Sequence, residues 1–217
     1  MSLKESLLDI LFPPRCAFCR RLLRRGESGM CGRCAASLPY TPEGYNDGTD
    51  FVEACVAPLF YEGAVRDALL RYKFSGVTAY AGIFGRLVAG CVRERLAGRY
   101  DLISWVPLSS ERLRERGYDQ AMLIAMAAAL ELDDVAVETL RKVVNVAPQS
   151  GTGSAEQRRA NISGAFECAD EELVRGRRIL LIDDIITTGA TVSECARVLG
   201  LAGAESVVCA AVARGRP

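Results

Sequence analysis

Histidine is absent from this 217-residue chain. Without imidazole there is no Ser-His-Asp triad, no Cys-His nucleophile pair and no histidine-ligated metal. The chemistry left uses carboxylates, hydroxyls, guanidiniums, backbone amides, lysines or thiols. Net charge is missing too: 27 Lys and Arg balance 27 Asp and Glu, so no global field favours nucleic acid or an anionic membrane. Basic residues cluster only locally, at Arg20-Arg21, Arg24-Arg25, Arg112 to Arg116, Arg158-Arg159 and Arg175 to Arg178. Most such clusters are solvated surface. No apolar run approaches the roughly 18 residues of a membrane span. The longest, "AMLIAMAAAL" at 121–130, reads as a core helix. The start, "MSLKESLLDILFPP", lacks the basic flank and uninterrupted apolar centre of a signal peptide. A cytoplasmic protein with reduced cysteines is expected.

Cysteine, by contrast, is plentiful, with nine residues. Cys55, Cys91, Cys168, Cys195 and Cys209 are scattered among apolar residues and read as small buried hydrophobes. Cys16, Cys19, Cys31 and Cys34 form two CxxC pairs eleven residues apart. Each pair makes a tight knuckle, and two knuckles supply the tetrahedral sulfur cage that Zn²⁺ prefers. A module this short has little core of its own, so bound metal would supply folding energy. Redox-active CxxC pairs would need a thioredoxin-like context, and iron–sulfur clusters use other spacings. A structural, closed zinc site leads these readings.

The linker "LPYTPEGYNDGTD" after the cluster marks a boundary near residue 50. The expected organisation is a zinc-binding module and linker at 1–50 and a second domain at 51–217. In that domain, strand patterns at 53–61, 101–108, 135–144, 177–184 and 204–214 alternate with helical patterns at 63–74, 80–97, 118–132 and 191–203. This predicts an α/β domain with a mostly parallel sheet flanked by helices.

"RRILLIDDIITTGAT" carries the most chemistry. An apolar strand delivers Asp183 and Asp184 to its carboxyl end, where open parallel sheets bind ligands. Thr187, Thr188, Gly189, Ala190 and Thr191 follow, small enough for the backbone to curl around an anion at the start of a helix. Acids beside an anion cradle suit a ligand with vicinal hydroxyls and a phosphate, as in a ribose 5-phosphate. GxxxxGK[ST] and GxGxxG, the marks of other nucleotide sites, are both missing.

"ILLIDDIITTGAT" resembles the phosphoribosyl pyrophosphate (PRPP) signature of type I phosphoribosyltransferases. With the double CxxC, "WVPLSSERLRERGYDQA" and "PQSGTGSAEQRRANISGAF", nearly the whole chain is similar to the ComF/GntX family. The resemblance implies a type I phosphoribosyltransferase-like domain bearing a zinc module, with a role in DNA uptake during natural competence. It implies that Asp183 and Asp184 bind the ribose hydroxyls and that residues 187–191 hold the 5-phosphate. Arg112 and Arg116 become candidates for pyrophosphate oxygens, with Lys73 of "YKFSG" as a further candidate. Gln149, Arg158, Arg159 and Asn161 match the family's mobile-loop segment, although Val146 and Thr152 stand where its pattern has threonine and leucine.

The expected activity is pentosyl transfer from PRPP, bound with Mg²⁺, to an unspecified acceptor with release of pyrophosphate. A non-catalytic PRPP-binding protein is one alternative. Another makes single-stranded DNA or competence-machinery proteins the principal partners, against which stand the zero net charge and the 7% aromatic content.

Overall fold

The sheet is organised around two strands buried along nearly their whole length. The computed structural model describes residues 13–46, 48–143 and 164–216. In chain order its elements are α1 (Gly32–Ser37), β1 (Ala54–Val56), β2 (Leu59–Phe60), α2 (Gly63–Phe74), α3 (Tyr80–Arg95), β3 (Leu102–Trp105), α4 (Ser110–Arg116), α5 (Gln120–Glu131), β4 (Leu140–Lys142), β5 (Phe166–Cys168), α6 (Glu171–Val174), β6 (Arg178–Ile186), α7 (Ala190–Leu201) and β7 (Ser206–Arg214). The main sheet runs β1-β7-β6-β3, with β2 also on β7, and every pairing is parallel. β6 and β7 are central and covered on both faces, which is why they read as continuous apolar runs without alternation.

Those faces form two cores. Leu180, Ile182, Val208 and Ala210 pack with residues of α2, α3 and α5, whereas Ile179, Leu181, Val207 and Cys209 pack with those of α7. Strand alternation makes this division. α3 and α5 meet so closely that a Cβ on Gly85 would lie 2.5 Å from that of Ala127. Among the described residues, no helix is long and apolar enough to cross a membrane.

The strand expected across 53–61 is split at Pro58, which has no amide to give to a ladder. Both pieces still pair with β7. Of the strand expected at 135–144, β4 is the paired part, forming an antiparallel ribbon with β5. Ala136 makes a single bridge to Ile103. Residues 110–116, where no helix was expected, form α4, which Ser109 caps by accepting the Arg112 amide.

The cysteine knuckles lie on α2 and α3 and share the first core: Cys16, Phe18, Cys31 and Cys34 are buried there. Phe18 meets Phe84 edge-on, with ring centroids 6.2 Å apart. Arg71 of α2 donates to the carbonyls of Ala17 (2.8 Å) and Phe18 (3.0 Å).

At the carboxyl edge of the sheet, β3 stops early. Its last pairing is Trp105 with Ile182, and the Val106 amide still donates to the Ile182 carbonyl at 2.9 Å. Pro107 follows, while β6 continues to Ile186 against β7 alone. The acids expected at a strand terminus therefore lie inside β6, along an edge that β3 leaves open.

Candidate functional site

That open edge is the floor of a cavity lined by Lys73, Arg112, Arg116, Lys142, Asp183, Asp184 and Thr191, among others. Its first wall is the loop after β3 and helix α4. Arg112 and Arg116 are four residues apart and share one helix face. Asp119 fixes this wall. Its carboxylate accepts the Leu108 amide at 2.8 Å and, as cap of α5, the Met122 amide at 3.0 Å. Burial nonetheless raises its pKa. Arg116 donates to Gln120 Oε1 at 2.8 Å, and its guanidinium lies 5.0 Å from the centre of the Phe74 ring.

Alternation along β6 sends the adjacent acids to opposite faces. Asp184 is buried and receives Lys73: Nζ to Oδ2 is 2.8 Å. Lys73 comes from the end of α2, which Tyr72 and Tyr118 hold in place. The Tyr72 hydroxyl donates to the Gln120 carbonyl at 3.0 Å, and the Tyr118 hydroxyl donates to the carbonyl of Tyr72. Asp183 is partly buried, and its Oδ1 accepts the Asp184 amide at 2.7 Å. Burial, then the charge of Asp184, pushes its carboxyl up to about 8.

Opposite stands Lys142 of β4, a residue that sequence reasoning missed. Burial, then Arg112, lowers its pKa, and its ammonium lies 5.0 Å from the Phe166 ring centre. No local motif marks it, because an antiparallel ribbon swings it over the site.

The turn after β6 opens α7. Gly189 caps that helix in the left-handed region at φ 75°, and a Cβ there would lie 2.5 Å from Thr49 Cγ2. Ser193 donates to Thr49 Oγ1 at 2.8 Å, so the linker segment braces the turn. Thr187 and Thr188 are exposed, whereas Gly189 and Ala190 are buried. Thr191 alone of residues 187–191 is among the cavity-lining residues; Thr187, Thr188 and Gly189 form the adjacent turn and Ala190 opens α7. Gln149, Arg158, Arg159 and Asn161 lie outside the described residues.

The four cysteines converge as their spacing predicts, with their sulfurs all within 4.8 Å of one another. The Cys31 amide points at Cys16 Sγ and the Cys34 amide at Cys31 Sγ, each at 3.4 Å. Burial would raise the Cys31 thiol, but the Cys34 amide, Arg21 and the neighbouring thiols outweigh it and bring its pKa to about 6. Four soft donors, with amides aimed at sulfur, fit a tetrahedral zinc ion.

Two families match parts of the chain: the phosphoribosyl transferase domain over residues 119–216 and the double zinc ribbon domain over residues 7–44. Competence protein F of Haemophilus influenzae is 28% identical over 215 residues, covering 89% of this chain and 93% of that protein. DNA utilization protein YhgH of Salmonella typhimurium is 36% identical over 203 residues, covering 88% and 86%. The chain belongs to the ComF/GntX family. In this ComF/GntX chain the phosphoribosyl transferase match begins at Asp119, the residue that pins the first wall, and takes in β6 and its turn. It leaves out Lys73, Arg112 and Arg116, which reach the same cavity from earlier elements. The zinc-ribbon match holds four cysteines, a ligand set for one ion. Among solved structures, a glutamine PRPP amidotransferase from B. subtilis aligns with a TM-score of 0.43 at 19% identity, covering 64% of this chain and 30% of that one.

Proposed function

We propose that this protein binds PRPP together with Mg²⁺ and transfers its phosphoribosyl group to an acceptor, releasing pyrophosphate. The observation that carries this reading is the meeting of two strand-borne carboxylates with four cations around one cavity, beside the turn that opens α7. Asp183 and Asp184 take the ribose 2- and 3-hydroxyls, and the turn at residues 187–191 takes the 5-phosphate at the positive end of α7. Arg112, Arg116 and Lys142 face the pyrophosphate, pairs of whose oxygens can each accept from a planar guanidinium fork.

In the transfer, an acceptor lone pair forms a bond to the ribose anomeric carbon. The bond from that carbon to the pyrophosphate oxygen breaks, and its electron pair leaves with pyrophosphate. Fixed cations at the departing oxygens stabilise the charge as it develops, and losing one such contact costs about a hundredfold in rate. Mg²⁺, when bound with PRPP, neutralises phosphate charge. Lys73 must leave Asp184 when the ribose arrives, and its released ammonium is then free to meet a phosphate.

Residues 1–50 serve in this reading as a zinc-binding module and linker, and 51–217 as the phosphoribosyltransferase domain. The names of the relatives support a role in competence and DNA use. A second reading, in which the chain handles single-stranded DNA and PRPP only regulates it, has one supporting observation: Arg15, Arg20, Arg24 and Arg25 are all exposed on the cysteine module. Labelled PRPP with Mg²⁺ and a panel of bases and oligonucleotides separates the two. Transfer to an acceptor with pyrophosphate release supports the enzyme, and tight PRPP binding without release from any acceptor supports the second reading.

A further inference from the structure

The chain meets nearly all its need for positive charge with arginine. Of its 27 basic residues only Lys4, Lys73 and Lys142 are lysines. Lys73 and Lys142, the two that the structure describes, both line the candidate cavity. The difference is chemical: a guanidinium stays charged near neutral pH, whereas an amine can lose its proton and act as a nucleophile. Lys73 is committed as an ammonium to Asp184, 2.8 Å away. Among the described residues Lys142 has no carboxylate at ion-pair distance. Its Nζ lies instead over the ring of Phe166, its cross-strand partner on β5, 5.0 Å from the ring centre. Arg112 and Arg116 share the cavity with it. Burial, then the charge of Arg112, lowers its pKa, so more of it is free amine at neutral pH than of an ordinary lysine. The fold thus sets an amine beside groups suited to hold a phosphate.

We propose that Lys142 is a site of non-enzymatic acylation by acyl phosphates, with the cavity cations seating the phosphate and the Lys142 amine taking the acyl group. The Nζ lone pair forms a bond to the acyl carbon. The bond from that carbon to the bridging phosphate oxygen breaks, and its electron pair leaves with inorganic phosphate. The amine proton passes to solvent, and the product is an N-acyl lysine. Arg112 and Arg116 stabilise the departing phosphate as its charge develops. Acylation removes a charge and an ion-pairing donor from the cavity. The effect on PRPP rests on the reading above, in which Lys142 faces the pyrophosphate: acylated protein binds PRPP more weakly. The site then answers to the supply of acyl phosphate as well as to that of its own ligand.

The test incubates the zinc-loaded full chain with acetyl phosphate and reads acetylation rates at Lys4, Lys73 and Lys142 by peptide mass spectrometry. A parallel series uses the N-hydroxysuccinimide ester of acetate, which carries no phosphate and reports reactivity alone. The ratio of the Lys142 rate to the Lys4 rate should be about tenfold or more higher with acetyl phosphate than with the ester. Inorganic pyrophosphate should suppress acetyl phosphate labelling at Lys142 and leave Lys4 unchanged. Equal ratios with the two reagents, or labelling of Lys142 that ignores pyrophosphate, overturn the proposal. Lys142→Gln, which mimics the acylated side chain, should bind PRPP with Mg²⁺ about tenfold or more weakly than Lys142→Arg by calorimetry, both being folded by thermal melting. The parent acetylated at Lys142 should match Lys142→Gln. Equal PRPP affinity in the two variants overturns the placement of Lys142 at the pyrophosphate. A parent that is labelled selectively at Lys142 but does not bind PRPP overturns the PRPP reading and leaves the acylation site standing.

Discussion

Lys73 Nζ lies 2.8 Å from Asp184 Oδ2, and both side chains are less than a fifth exposed. Removing one partner from such a pair leaves a charge uncompensated in a poor solvent. Lys73→Met should therefore lower stability of the ligand-free protein by about 3 kcal/mol in urea denaturation. Lys73→Met with Asp184→Asn should recover most of that loss. A double variant as unstable as the single would show that the lysine acts through packing alone.

Gly189 combines a positive φ of 75° with a Cβ position 2.5 Å from Thr49 Cγ2. Gly189→Ala should cost about 1–3 kcal/mol of stability from backbone strain, with the clash added. Pairing it with Thr49→Ser, which removes the clashing methyl, should return part of the loss. Melting curves of the three variants check this.

The raised pKa of Asp183 carries a pH dependence of definite sign. Folded, its carboxyl keeps a proton to about 8, whereas the ordinary value is 3.8. Between those values the native state holds more protons than the unfolded one, so stability falls as pH rises. Denaturation of the ligand-free protein across pH 4 to 8, compared with Asp183→Asn, isolates the effect. The parent should lose stability relative to the variant as pH rises, and parallel curves would refute the raised pKa.

Arg71 ties the first cysteine knuckle to α2 through the carbonyls of Ala17 and Phe18, two residues before Lys73. The protein should carry about one zinc per chain by metal analysis. Chelation should loosen the end of α2 and weaken PRPP binding, although no cysteine touches the cavity. Arg71→Ala should reproduce that weakening with zinc retained. Unchanged PRPP affinity after zinc removal would separate the two sites.

How far the sequence discloses this arrangement depends on the range of each interaction. The cysteine cage is legible because its ligands are local pairs with a fixed spacing. β6 and β7 are legible because burial on both faces leaves an uninterrupted apolar run. α4 is not, since its charged residues show no apolar face and its start depends on the single cap Ser109. Lys142 is invisible for a different reason: only the β4–β5 pairing places it across from Arg112. Adjacency in sequence also hides that Asp183 and Asp184 have different partners: alternation gives Asp184 to Lys73, while both acids still line one cavity. The shared core of Phe18 and Phe84 is likewise a product of packing between segments far apart in the chain.

The central claim is that β6 and its turn bind PRPP. Calorimetric titration of the zinc-loaded protein with PRPP and Mg²⁺, beside Asp183→Asn with Asp184→Asn, tests it most directly. The account predicts saturable binding by the parent and none by the folded double variant. Equal affinity in both, or no binding by the parent, would contradict it.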